Sequence, residues 1–221
     1  MELNDVMRTT FAARDYTGDA LSDEVLYGIL DTARFAPSGG NRQGNRGIVV
    51  RDQATKDALG ELNRPAAKRY MAQIHAGENP WNSYTPTRCT PDEIEATEAA
   101  SMLTDPVKHC SVALVFIVDL SVVASMDQDL DRIGIISGAS IYPFVWNVLM
   151  AARQVGFGGT ITTLACAQED KVKALLSIPE NFAVCAVVPL GKPVKQLTKL
   201  KRLPVEEFAM CERFDGEAFS R

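Results

Sequence analysis

Histidine is scarce and cysteine forms no pattern: the 221 residues include two histidines, His75 and His109, and five cysteines, Cys89, Cys110, Cys166, Cys185 and Cys211. An odd, widely spaced set without a C-x-x-C pair predicts buried free thiols in a reducing cytoplasm and no disulfide framework. Neither histidine is spaced with a cysteine in a ligand pattern, so no metal site is expected. His109 adjoins Cys110, but neighbours on a strand point to opposite faces, which argues against a Cys-His catalytic pair if a strand begins there. Basic runs and basic-aromatic stripes are missing, and 23 Lys+Arg against 28 Asp+Glu leave a net charge of -5. That balance excludes an obvious nucleic-acid partner. The opening MELNDVMRTTFAARD lacks a basic region followed by an apolar core, so no signal peptide is expected. The longest apolar region, near 133–152, is broken by Ser137, Ser140, Pro143 and Asn147 and falls short of a membrane span. Dinucleotide and phosphate-loop signatures fail as well: Ile161 stands where G-x-G-x-x-G needs glycine, and Gly191-Lys192 runs into Pro193. A G-x-S-x-G nucleophile elbow is also lacking.

What is present suits one α+β domain over 1–221, with 46% hydrophobic residues to fill its core. A first helix is expected at about 3–12. A second should start near Ser22, whose hydroxyl can cap it while Asp23 and Glu24 suit its N-terminus. Val25, Leu26, Ile29, Leu30 and Ala33 then share a face. Strands are expected at Ile48–Arg51, Val112–Val118 and Ala183–Leu190, with a short one near Thr160–Thr163. Ile133–Val155 reads as one long apolar helix without a polar stripe, buried in the core or against a second subunit. Residues 63–106 differ in character, with five prolines, Tyr70, Trp81, Tyr84 and an acidic helix around Asp92–Glu98. They read as an excursion from the sheet, a lid or a dimer arm.

The segment Pro37-Ser38-Gly39-Gly40-Asn41-Arg42-Gln43 joins the end of a helix to an apolar strand. Its glycines and serine let backbone N–H groups approach a planar or anionic ligand, while Asn41, Arg42 and Gln43 supply side-chain donors. Taken alone, such a turn is more often a plain helix stop.

Four separated stretches together resemble the FMN-dependent nitroreductase family in the order that family uses. Arg14-Asp15-Tyr16 with Ala20–Leu26 resembles its R-R-S-x-R-x-F and P-V-x-x-E-x-L motifs, and Pro37–Gln43 resembles its A-P-S-G-G-N-x-Q segment. Asn147–Gly158 is similar to N-L-x-L-A-A-x-x-L-G-L-G and is followed by the turn Thr160–Leu164. Pro189–Pro193 and Leu200–Glu207 resemble its G-Y-P and K-R-x-P-L-E-E tail.

The resemblance implies a nitroreductase-like three-layer α+β fold, a mixed central sheet wrapped by helices, in an intertwined homodimer. It implies FMN as cofactor, NADH or NADPH as reductant, and no side-chain nucleophile, because the flavin carries the chemistry. Hydride would pass through flavin N5 by a ping-pong scheme to a nitroaromatic, quinone or activated alkene. Arg14 would sit at the pyrimidine edge of the flavin, where negative charge accumulates on reduction. Thr162, Thr163 and Leu164 would offer backbone N–H groups to N5 and O4, Lys201 and Arg202 would hold the phosphate, and Pro37, Ser38, Gly39 and Asn41 would lie along the ring, reaching a flavin bound mainly by the other subunit. Where the family carries Arg-Arg-Ser, this chain has Thr10, Phe11 and Ala12, which removes two phosphate cations; Thr10 and Arg8 are the nearest substitutes. In place of Gln-Pro-Trp it has Gln43-Gly44-Asn45-Arg46, so Arg42 or Arg46 would favour an anionic substrate if either faces the pocket. Tyr70, Trp81 and Tyr84 are candidates for covering a planar acceptor. The competing readings are a reductive dehalogenase of the same fold and a non-enzymatic flavin-binding protein. A flavin-fragmenting relative would require an acid where Ala12 stands.

Overall fold

The computed structural model describes residues 1–220. Its centre is a four-stranded sheet of β1 (Asn45–Val50), β2 (Val112–Asp119), β3 (Gly158–Gly159) and β4 (Phe182–Gly191), in the order β1-β2-β4-β3. All three ladders are antiparallel; the parallel component is one isolated bridge, Ala12 to Gly159. β2 and β4 are β-branched and almost wholly buried, as befits central strands covered on both faces.

Alternation along β2 divides the core into two layers. Val112, Leu114 and Phe116 pack under α2 (Asp23–Ala33) and α7 (Tyr142–Gln154), together with Leu26, Ile29, Val145 and Val148. Ala113, Val115 and Ile117 face the opposite side, against Leu59 of α3 (Gln53–Leu62), Val107 of α6 (Ser101–His109) and Val172 of α8 (Glu169–Leu176). Helices on both faces of one sheet give the expected three-layer fold. Phe116 and Phe144 meet edge to face at 5.3 Å in the first layer.

The first helix, α1, covers Leu3–Thr9 and stops short of residue 12. Thr10 turns extended, and the N–H of Ala13 donates to Gly159 O at 2.9 Å, drawing the chain onto the sheet edge. Ser22 caps α2 as expected, accepting from Val25 N–H. The long helix over 133–155 is corrected to a 3-10 turn at Ile136–Ser140 followed by α7. Two local causes separate them. Pro143 has no N–H and therefore suits the first turn of a helix. The buried Asp127 carboxylate accepts from the N–H groups of Ile135 and Ile136 and from Arg132, fixing that stretch outside a helix. Nor is α7 buried all round, since Tyr142 and Trp146 remain exposed. The short strand near Thr160–Thr163 is replaced by β3 and a single Thr162–Val187 bridge. The excursion at 63–106 consists of α4 (Arg64–His75), α5 (Pro91–Ala96) and most of α6. The acidic helix is α5, opened by a capping box between Thr90 and Glu93. No helix among the described residues is long and apolar enough to cross a membrane.

Candidate flavin site

Arg14 stands between two anchored neighbours. Ala13 is buried and bonded to Gly159, while the Tyr16 hydroxyl donates to Ala13 O (2.8 Å) and Pro189 O (3.1 Å). Burial pushes the Tyr16 phenol far above its ordinary pKa, so it remains a neutral donor. With its neighbours fixed, the Arg14 side chain points outward. Its contact within the chain is a long one, 3.4 Å to Ala12 O, and no acid pairs with it among the described residues.

The turn after β3 comes to the same place because Gly159 allows it. A Cβ at 159 would collide with Pro189 O and the Leu190 side chain. Beyond it, Thr162 exchanges both backbone bonds with Val187, at 3.0 and 2.8 Å. Thr163 and Leu164 then open a 3-10 turn, and their N–H groups find no acceptor among the described residues. The three amides expected of this turn are therefore not equivalent: Thr162 is committed to the sheet, and the next two are free.

A pocket of about 170 Å³ joins Arg14 to Thr160–Leu164, with Tyr70 of α4 and Met102 and Leu103 of α6 as its outer wall. Met102 and Leu103 are functional candidates that the sequence pattern does not single out, because on a short amphipathic helix they resemble ordinary apolar residues. An unpaired cation, two free N–H donors and an apolar wall match the polar edge and planar face of a flavin.

The remaining candidates lie elsewhere. Pro37–Gln43 lines a second pocket of about 170 Å³ through Ser38 and Gln43. Ser140 Oγ accepts from Gly39 N–H at 2.9 Å and Ser38 Oγ from Gln43 N–H at 2.9 Å, while Gly40, Asn41 and Gln43 all have φ between +50° and +60°. Such strain is typical of loops shaped for a ligand. The buried Thr10 hydroxyl donates to Val6 O at 2.7 Å, so its proton is not free for a phosphate, and Phe11 and Ala12 offer only backbone. Lys201 and Arg202 are exposed on the C-terminal segment; Arg202 donates to Lys201 O. Arg42 donates to Val122 O at 3.2 Å. Trp81 is held against α4, its Nε1 donating to Ala66 O and its ring lying 4.2 Å from the Arg69 guanidinium; Tyr84 is almost fully exposed. Neither lines the Arg14 pocket.

A model of the nitroreductase family matches residues 7–192. The chain belongs to the nitroreductase family. It is 29% identical over 202 residues to a Thermus thermophilus protein named NADH dehydrogenase, covering 89% of each. In structure it is similar to an NADPH:FMN oxidoreductase from Vibrio harveyi complexed with NAD+, with a TM-score of 0.69, 18% identity, and 96% of this chain and 77% of the other covered. It also resembles oxidized iodotyrosine deiodinase bound to FMN and 3-iodo-L-tyrosine, with a TM-score of 0.66, 20% identity, and coverage of 92% and 96%. At those identities the structural likeness establishes the nitroreductase fold alone.

Proposed function

We propose that this nitroreductase-family protein transfers reducing equivalents from NADH or NADPH to an electron-poor organic acceptor, a nitroaromatic, quinone or activated alkene. The class follows from family membership: the protein is an NAD(P)H-dependent FMN oxidoreductase. The observation that carries the site assignment is the convergence of the unpaired Arg14 guanidinium with the free N–H groups of Thr163 and Leu164 in one pocket. Arg14, Thr163 and Leu164 would hold FMN, which would supply hydride transfer between the nicotinamide and the acceptor.

The chain's own groups do the positioning. Arg14 places a fixed positive charge at the pyrimidine edge, and the Thr163 and Leu164 amides supply donors that need no reorganisation. Tyr70, Met102 and Leu103 exclude water from the open face and give a planar acceptor an apolar surface. Lys201 and Arg202 serve the phosphate, supplementing a first helix that lacks the usual cations. Residues 63–106 belong to the single domain and act as its lid. Of the cysteines expected to be buried, Cys110 and Cys185 are, whereas Cys89 and Cys166 are half-buried and Cys211 is exposed; the location proposed is cytoplasmic.

The working unit is a homodimer in which Pro37–Asn41 of one copy completes the site of the other. Exposed Ile133, Ile135, Trp146, Phe208 and Phe219 supply the apolar surface for that assembly. The deiodinase-like fold supports a second reading, reductive dehalogenation at the same flavin. The test is anaerobic addition of NADH and NADPH to FMN-saturated protein, followed by a nitroaromatic, a quinone or a halophenol. Bleaching of the flavin and its recovery on adding acceptor are expected. A protein that binds FMN but cannot be reduced by either nicotinamide would be a binding module.

A further inference from the structure

We infer that Arg46, with Arg34, forms a subsite for a carboxylate carried by the acceptor. The inference rests on the oxidoreductase reading and on its dimer, in which the Pro37–Asn41 loop beside this cleft reaches the flavin of the other copy, and it narrows the substrate class to anionic aromatic molecules. The second pocket, beside the Pro37–Gln43 loop, is lined by Arg34, Ser38, Gln43, Asn45, Arg46 and Phe144, without an acidic residue. Two guanidinium groups therefore share a small cleft in a protein whose net charge is -5. A local positive field in such a setting selects anions.

Arg46 is the stronger member. It projects to the surface from β1, and its Nη1 donates to the carbonyls of Gln43 (2.9 Å) and Asn45 (2.8 Å). Those two bonds hold the guanidinium in place and use only one of its nitrogens. Nε and Nη2 have no acceptor among the described residues, and no carboxylate pairs with Arg46 within 4.0 Å; Asp119, which feels the Arg46 charge, is itself bonded to Ser121 and Asn181. An oriented guanidinium with two adjacent N–H faces free matches the two oxygens of a carboxylate. Arg34 is ion-paired with Asp31 at 2.7 Å, which largely cancels its charge, so Arg34 adds only short-range N–H donors and the positive field of the cleft comes from Arg46. Phe144 forms an apolar wall, and the Ser38 hydroxyl, which accepts from Gln43, keeps its proton for a ligand oxygen. Arg42, the other basic residue of the loop, does not line the cleft and is tied to Val122 O.

The test compares 4-nitrobenzoate with 4-nitrobenzamide, which share shape and differ in charge, in the FMN-loaded protein. In the wild type, kcat/KM should favour the carboxylate by about tenfold or more at low salt and less at high salt. Because the amide is intrinsically the easier acceptor to reduce, the ratio is read against the wild type: Arg46→Gln should lower it about tenfold, Arg34→Gln should lower it less, and Arg46→Lys should restore part of it. Equal losses on both acceptors, or a ratio that ignores Arg46, would overturn the inference. So would a change confined to FMN against riboflavin affinity, or to NADPH against NADH, either of which would make the anion a phosphate.

A second readout needs no turnover. Calorimetric titration of the oxidised protein with benzoate and benzamide should give tighter benzoate binding that weakens about tenfold in Arg46→Gln. Arg46-dependent benzoate binding in a protein that neither nicotinamide reduces would sink the oxidoreductase reading and leave the anion subsite standing. Normal reduction with no Arg46-dependent benzoate binding would do the reverse.

Discussion

Two parts of this molecule treat their apolar residues in opposite ways. β2 and β4 bury almost every side chain on both faces, whereas the segments around 126–136 and 203–219 leave Met126, Ile133, Ile135, Phe208, Phe214 and Phe219 exposed. The site divides along the same line. Ala13, Tyr16 and Thr162, the neighbours of Arg14 and of Thr163, are bonded to β3 and β4, so one chain holds the candidate pocket beside Arg14 by itself. Lys201 and Arg202 lie on a segment that one chain does not cover. In the proposed dimer, the pocket beside Arg14 would be a property of the fold, and the phosphate end a property of assembly.

The largest contrast should be in stability. Leu114→Ala removes a fully buried side chain from the central strand and should cost about 2–5 kcal/mol in urea unfolding. Phe214, which is 91% exposed, should cost less than about 0.5 kcal/mol when changed to Ala. Similar costs for both would mean that the C-terminal segment is packed as tightly as the core.

Acid should also loosen the segment around 126–136. Hydrogen bonds from the Ile135 N–H and from Arg132 and Ile136 hold Asp127 at about 2, below its ordinary 3.8. A depressed carboxyl stabilises the fold above its unfolded pKa, and that stability is lost as pH falls through the folded value. Stability should therefore decline between about pH 4 and pH 2, with protection of the Ile135 and Ile136 amides against hydrogen exchange lost early. In Asp127→Asn this pH dependence should shrink. An unchanged acid profile would remove Asp127 from its role in holding the 3-10 turn apart from α7.

Within the site, Arg14→Ala should leave the fold intact and make bound FMN harder to reduce by about 30 mV, equivalent to about 1.4 kcal/mol for two electrons. An unchanged potential with FMN still bound would make Arg14 a solvated surface charge. The smallest effect expected separates the lid aromatics. Tyr70→Ala should raise KM for aromatic acceptors about threefold to tenfold, the scale of one aromatic contact, whereas Trp81→Ala should lower the melting temperature and spare KM. The opposite outcome would place Trp81 over the acceptor.

The sequence reveals the well-packed region far better than the exposed one. Continuous β-branched runs mark β2 and β4 almost to the residue, because burial on both faces leaves no other composition. The break before α7 is concealed: its cause is a carboxylate eight residues before Ile135, a bond that no periodicity records. Arg14 is legible only through its motif, since a lone arginine looks like surface charge. That Thr163 and Leu164 have free amides while Thr162 does not depends on one bridge to Val187, which composition cannot show. Trp81 and Tyr84 read as lid residues because aromatics stand out in a proline-rich stretch. Yet the structure binds Trp81 to α4 and leaves Tyr84 in solvent.

In the proposed reaction this chain takes electrons from a nicotinamide into FMN held beside Arg14, Thr163 and Leu164. Anaerobic stopped-flow reduction of the FMN-saturated protein by NADH and by NADPH, run on wild type and Arg14→Ala, tests it most directly. Bleaching of the flavin band by at least one nicotinamide is expected, with a slower rate and a lower potential in Arg14→Ala. FMN that stays oxidised with both nicotinamides, or that is reduced identically in the two proteins, would contradict it.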